Sequence, residues 1–183
     1  MKTALRLLSW LAAFFLFWTG IAVLVPEWRM LPFALLADVM NVLDFGIHEM
    51  GHMVFGLVPI RFVGVLGGSL MQWLAPLVML LYAVYKRQLI SARLFFFWFG
   101  QSLIHSAPYI DDARSRSLQL MSPFFFTGGD IIHDWNYMLG QFNLLWADHI
   151  VAMLFYVSGS LIMLTAVLLF LIPLQKITGW LSR

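Results

Sequence analysis

Apolar residues run along this chain in long blocks broken by short polar stretches, and the length of the blocks sets the first expectation. Residues 7–25, 35–58, 70–85, 89–107 and 150–172 form five such blocks. A helix needs about 20 mostly apolar residues to cross the hydrocarbon layer of a bilayer. The pattern therefore predicts an all-α membrane protein with about five transmembrane helices in one polytopic domain, residues 1–183. The first block follows Lys2 and Arg6 and ends at Pro26-Glu27-Trp28 without a small-residue cleavage site, so it reads as an uncleaved helix and not as a signal peptide. Residues 59–69 lie between Pro59 and a glycine pair, are too short to span, and predict a short strand or re-entrant loop. Residues 108–146 form the one sizeable polar loop.

Composition sharpens this picture. The chain is 62% hydrophobic and 11% charged, with a mean hydropathy of +0.87. Soluble domains carry about 25% charged residues, so a water-facing globular surface is excluded. With no cysteine, disulfides, thiolate metal sites and cysteine nucleophiles are excluded too. A net charge of +2 gives no nucleic-acid footprint. The expected surroundings are a lipid bilayer, and the expected location is integral and multi-pass. Lys and Arg divide five against six between the two sides of a five-span arrangement, which leaves its orientation open, and the pattern sets no oligomeric state. Trp28, Trp135, Trp146 and Trp180 fall near span ends, as interfacial aromatics do.

The second block carries the chemistry. It contains His48-Glu49-Met50-Gly51-His52, in which two histidines four apart share one helix face and can offer two imidazole nitrogens to one metal ion. Glu49 stands beside them, placed to deprotonate a metal-bound water, and zinc is the ion that chemistry implies. The chain has five histidines and two glutamates. Chance would give this pattern in roughly two of a thousand such chains, which weighs against an accidental match. At 100° per residue, Asp38, Asn41, Asp44, His48, Glu49 and His52 fall within an arc of about 140°, with Val39, Val42, Leu43, Ile47, Met50 and Val54 opposite. One face is thus expected to meet protein or water and the other lipid. Asp44, one turn before His48, could accept that imidazole's second ring N–H or equally make a plain hydrogen bond in the helix interior.

An H-E-x-x-H inside a membrane helix, followed by a glycine-rich segment and further spans, resembles the site-2 protease family of intramembrane zinc metalloproteases. The resemblance covers residues from about 35 to 150, and it implies that His48 and His52 bind zinc and that Glu49 is the catalytic base. It also implies a third ligand, an aspartate from a later helix, which in the family sits in a Leu-Asp-Gly that this chain lacks. By order along the chain, Pro108-Tyr109-Ile110-Asp111-Asp112 is the nearest match, which makes Asp112 the expected third ligand, with Asp111 as its alternative. The stretch Gly128-Gly129-Asp130-Ile131-Ile132-His133-Asp134-Trp135 is the rival, through Asp134 or His133, and its His-Asp-Trp is similar to a divergent bacterial branch of the family. In that stretch Asp130 could instead cap an ordinary helix start. His105 and His133 are candidates for stabilising a tetrahedral oxyanion. Residues 61–66 could hold an extended substrate by strand addition. The function so implied is hydrolysis of a peptide bond in or near the bilayer of a membrane-protein or membrane-peptide substrate. The competing expectation is a non-enzymatic metal- or proton-handling membrane protein, transporter-like, using the same His/Asp cluster.

Overall fold

The computed structural model describes residues 2–118 and 132–172, and every secondary-structure element among them is helical. Five long helices are α1 (Lys2–Leu24), α2 (Phe33–Phe55), α3 (Arg61–Tyr85), α4 (Leu89–Asp111) and α6 (Asp148–Leu171). A short α5 (Asp134–Gln141) and 3-10 turns at Pro26–Trp28 and Leu145–Ala147 lie in the connections. Packing runs around a ring, α1 on α2, α2 on α3, α3 on α4, α4 on α6 and α6 back on α1, with α5 resting on α3. Three stretches among the described residues are long and apolar enough to cross a membrane: Arg6–Leu24, Arg61–Tyr85 and Leu145–Leu171.

The segment expected to form a strand or re-entrant loop is helical. α2 ends at Phe55 with Gly56 as its cap, Ile60 takes an extended cap conformation, and α3 begins at Arg61. The reason is visible in what is buried: Val65, Gly68, Ser69, Gln72 and Pro76 recur every one to four residues along one face of α3. Gly67 and Gly68 do not break the helix but let it approach α2 closely. A Cβ at Gly51 would collide with the carbonyl oxygen of Gly67, and one at Gly67 would lie 2.8 Å from the carbonyl oxygen of Gly51. Small residues at such a crossing let two backbones touch. The α4–α6 contact uses the same device at Gly100 and Gly159.

The polar face predicted for α2 turns inward around Asp44 and His48, whereas Asp38 near its start is exposed and pairs with Arg29. Asp44 and His48 are buried, whereas Val39, Val42, Leu43, Met50 and Val54 are exposed. An apolar cluster of Leu16, Met40, Phe97, Ile104, Met163 and Phe170 fills the space between α1, α2, α4 and α6. A second cluster, with Val65, Ile110, Ala113, Trp135, Met138, Leu139 and Ala152, docks α5 onto the ends of α3, α4 and α6. The expected polar loop thus contains an anchored helix. Residues 128–131 lie outside the described residues, Asp130 among them, and the cap of α5 is His133, whose side chain accepts from the Asn136 N–H.

Candidate metal centre

His48 and His52 project from the same face of α2 toward α5, where Asp134 occupies the first helical position. The three side chains converge: His48 Nε2 and His52 Nε2 lie 3.0 and 3.1 Å from Asp134 Oδ2, and 3.1 Å from each other. Among the described residues this is the one group of three side chains that could hold a metal ion.

The far side of each ring shows what the near side offers. His52 Nδ1 donates to the backbone carbonyl of Gly64 at 2.9 Å, and a carbonyl can only accept. His48 Nδ1 faces Gln72 Oε1 at 3.1 Å. The Gln72 amide nitrogen in turn points to the Ser102 carbonyl (3.2 Å), Ser106 Oγ (3.1 Å) and His105 Nδ1 (3.3 Å), which fixes the amide's oxygen toward His48. With the hydrogen on Nδ1 in both neutral rings, both Nε2 atoms present lone pairs. Two lone pairs and a carboxylate oxygen then meet with no hydrogen between them, an arrangement that a shared cation satisfies. Donors of a tetrahedral zinc ion at ~2.0–2.1 Å stand about 3.3 Å apart, so the observed triangle closes on an ion with little adjustment. The donor set, two imidazoles and a carboxylate, is that of a three-ligand site with a fourth position open.

Gly68 supplies the floor. A Cβ there would lie 2.7 Å from His48 Nε2 and 2.6 Å from His52 Cε1, and closer still to His52 Nε2. Only a residue without a side chain leaves the two rings where they are. Glu49 is half-buried beside them, within electrostatic reach of His48, His52 and Asp134.

The residues expected from sequence separate into those the fold brings here and those it does not. Asp112, the expected third ligand, is engaged elsewhere. Its Oδ1 accepts from Ser115 Oγ (2.6 Å), Ser117 Oγ (2.6 Å) and Ser117 N–H (2.7 Å), and its Oδ2 from Leu118 N–H (3.0 Å). Burial raises that carboxyl, yet these donors prevail and hold it well below the usual range. Asp111 faces outward and pairs with His149, while Arg114 pairs with Asp148. The position those two aspartates were expected to fill is taken by Asp134. Asp44 does not orient His48: its Oδ1 accepts from Trp98 Nε1 at 2.9 Å, and Gln72 has the role expected of it. Of the two expected oxyanion donors, His133 uses Nδ1 to cap α5 and turns Nε2 toward Asp112, and His105 lies against Gln72 and 3.9 Å from Asp44.

Gln72, the Gly64 carbonyl and Tyr109, whose hydroxyl accepts the Asp134 N–H at 2.9 Å, were not singled out from sequence, and Gly68 was read there only as a packing or turn residue. Gln72 carried a usable signal, because an amide inside an apolar span is costly and tends to be functional. No family model, curated protein or solved structure matches this chain.

Proposed function

We propose that this protein is a zinc-dependent endopeptidase of the site-2 protease type, embedded in a membrane by α1, α2, α3, α4 and α6, that hydrolyses a peptide bond of a membrane protein in or near the bilayer. The observation that carries the reading is the convergence of both motif imidazoles, through their Nε2 atoms, with a buried carboxylate, and with Glu49 alongside. The helix lengths support it as well. α2 and α4 have 23 residues each, the same as α1, and bury Asp44, His48, Gln101 and Ser102. Large apolar side chains, such as Val42 at 71% and Met153 at 68% exposure, cover the outside, which suits hydrocarbon surroundings.

His48, His52 and Asp134 would hold the ion, which when bound supplies Lewis acidity to a water and to the scissile carbonyl. Glu49 accepts the proton of the attacking water and later delivers it to the leaving amine. Gln72 and the Gly64 carbonyl keep both rings in the tautomer that binding requires. The test compares the wild type with Glu49→Gln and His48→Ala. Metal content is measured by mass spectrometry, and cleavage products are sought in the membrane proteome of expressing cells. Glu49→Gln is expected to keep the metal and lose every product, and His48→Ala to lose both. Products that persist in Glu49→Gln refute the reading.

A second reading, ion handling without proteolysis, draws on the buried polar track that continues from the site through Gln72, His105 and Asp44 to Gln101 and Asn41, which hydrolysis does not require. It predicts zinc flux into proteoliposomes that is equal for the wild type and Glu49→Gln, with no cleavage in either.

A further inference from the structure

The two histidines sit on a 23-residue helix, but Asp134 comes from an eight-residue one. A helix of two turns is too short to be stable alone, so its placement must come from what it touches. Apart from the apolar docking of Trp135, Met138 and Leu139, the polar anchors of its first turn converge on one place, the last turn of α4 and the residues that follow it. The Asp134 N–H donates to Tyr109 Oη at 2.9 Å, and Asn136 Nδ2 donates to the Ala113 carbonyl at 2.7 Å. The His133 ring lies on the Tyr109 ring at 4.3 Å and 28°. Its Nδ1 accepts the Asn136 N–H, which leaves the hydrogen on Nε2, and Nε2 lies 3.4 Å from Asp112 Oδ2.

Tyr109, Asp112 and Ala113 stand at i, i+3 and i+4 and so share one face. Asp112 is itself fixed by Ser115 and Ser117 and is 5% exposed, as is His133. A buried carboxylate held this firmly, facing at 3.4 Å a buried ring nitrogen that has no hydrogen-bond partner of its own and stands next to a candidate ligand, does more than end a helix. We propose that Asp112 is a positioning residue of the metal centre: through His133 it fixes the start of α5, and with it the Asp134 carboxylate opposite His48 and His52. Resting on the metal-centre reading above, this gives Asp112 an indirect part in place of direct ligation. Carboxylates that orient a metal site from behind are worth about 10–100-fold in metal affinity.

The test uses full-length protein in detergent with Co(II) as a spectroscopic probe and chelator-driven zinc release as the kinetic one. The variants are Asp112→Asn, His133→Asn, their double, and Asp134→Ala and His48→Ala as controls. Asparagine is a good helix cap, so His133→Asn keeps the cap while removing the link to Asp112 together with the ring stacked on Tyr109. Each single variant is expected to shift the Co(II) visible spectrum toward that of Asp134→Ala and to speed zinc release about 10–100-fold. The double should change no more than His133→Asn alone, because that variant has already removed the link that Asp112→Asn breaks. A wild-type Co(II) spectrum and release rate in Asp112→Asn or His133→Asn, whatever the melting temperature, overturns the proposal, and so do additive effects in the double. If His48→Ala leaves Co(II) binding unchanged, the metal centre itself is refuted and the proposal falls with it.

Discussion

Gly68→Ala is the substitution that most sharply separates the metal site from the fold. The added methyl group would stand 2.7 Å from His48 Nε2 and 2.6 Å from His52 Cε1. Non-bonded carbon contacts settle at about 3.5–4.0 Å, so each ring must withdraw by roughly 0.8–1 Å or swing out of the way. Metal–ligand distances tolerate only about 0.2 Å, so the displacement exceeds the tolerance several-fold for both rings at once. A drop in zinc affinity of at least 10–100-fold is expected, the range seen when only the support of a ligand is lost. The fold should suffer less. The atoms met are the far ends of two side chains and not backbone, so the overpacking should fall at the low end of the usual ~1–3 kcal/mol.

Gly51→Ala is the matched control. Its Cβ would meet the Gly67 carbonyl oxygen and lie 2.8 Å from the Gly67 carbonyl carbon, so α2 and α3 themselves must part. The assay pairs chelator-competition zinc affinity with thermal unfolding of the metal-free protein. Gly68→Ala should lose zinc while melting close to the wild type, and Gly51→Ala should lose both. Wild-type zinc affinity in Gly68→Ala would mean that the two Nε2 atoms are not the ligating atoms.

Two further outcomes follow from the surroundings of the site. Gln72→Leu keeps the side-chain volume but removes the acceptor for His48 Nδ1, so zinc should bind about 10–100-fold more weakly in a folded protein, and unchanged chelator competition would refute the orienting role. Asp112 titrates below the usual carboxylate range in the folded state, so the stability it contributes is complete above its unfolded pKa, about 3.9, and is lost as pH falls through the folded value. The melting advantage of metal-free wild type over Asp112→Asn should therefore hold from pH 7 down to about 4 and shrink below that, and an advantage that grows toward acid contradicts the assignment.

The inward face of α2 was legible in the sequence because a regular helix turns spacing into direction. Six polar residues within one arc left little choice about which side would be buried, and Asp44 and His48 are buried there. The third member of the cluster was not legible, because Asp111, Asp112 and Asp134 look alike locally and the choice among them depends on competition. Ser115 and Ser117 capture Asp112, His149 holds Asp111 on the outside, and Asp134 is left with the two imidazoles. That contest is settled between residues 82 and 86 positions apart, beyond any local pattern. The helical start of α3 was missed for a different reason. Glycine disfavours a helix in isolation by about 1 kcal/mol, but at Gly67 and Gly68 the absent side chain is what allows α2 to come close.

The same trade explains why hydropathy singles out three helices where five have the length. Among the polar residues that lower the apolar character of α2 and α4 are some that meet between them: Gln101 Nε2 on Asn41 Oδ1 at 2.8 Å, Trp98 Nε1 on Asp44, and His105 approaching Asp44. α3, which is apolar enough to cross a membrane, contributes the Gln72 amide, the bare Gly68 and the Gly64 carbonyl to the same region. An ionisable or amide side chain in a span costs free energy unless a neighbour satisfies it, so such residues persist in matched sets on facing helices. A helix that carries half of a buried site must therefore look less like a span than its neighbours do. In this chain the two long helices that miss the hydropathy threshold supply both candidate imidazole ligands and the turn that holds Asp134 in place.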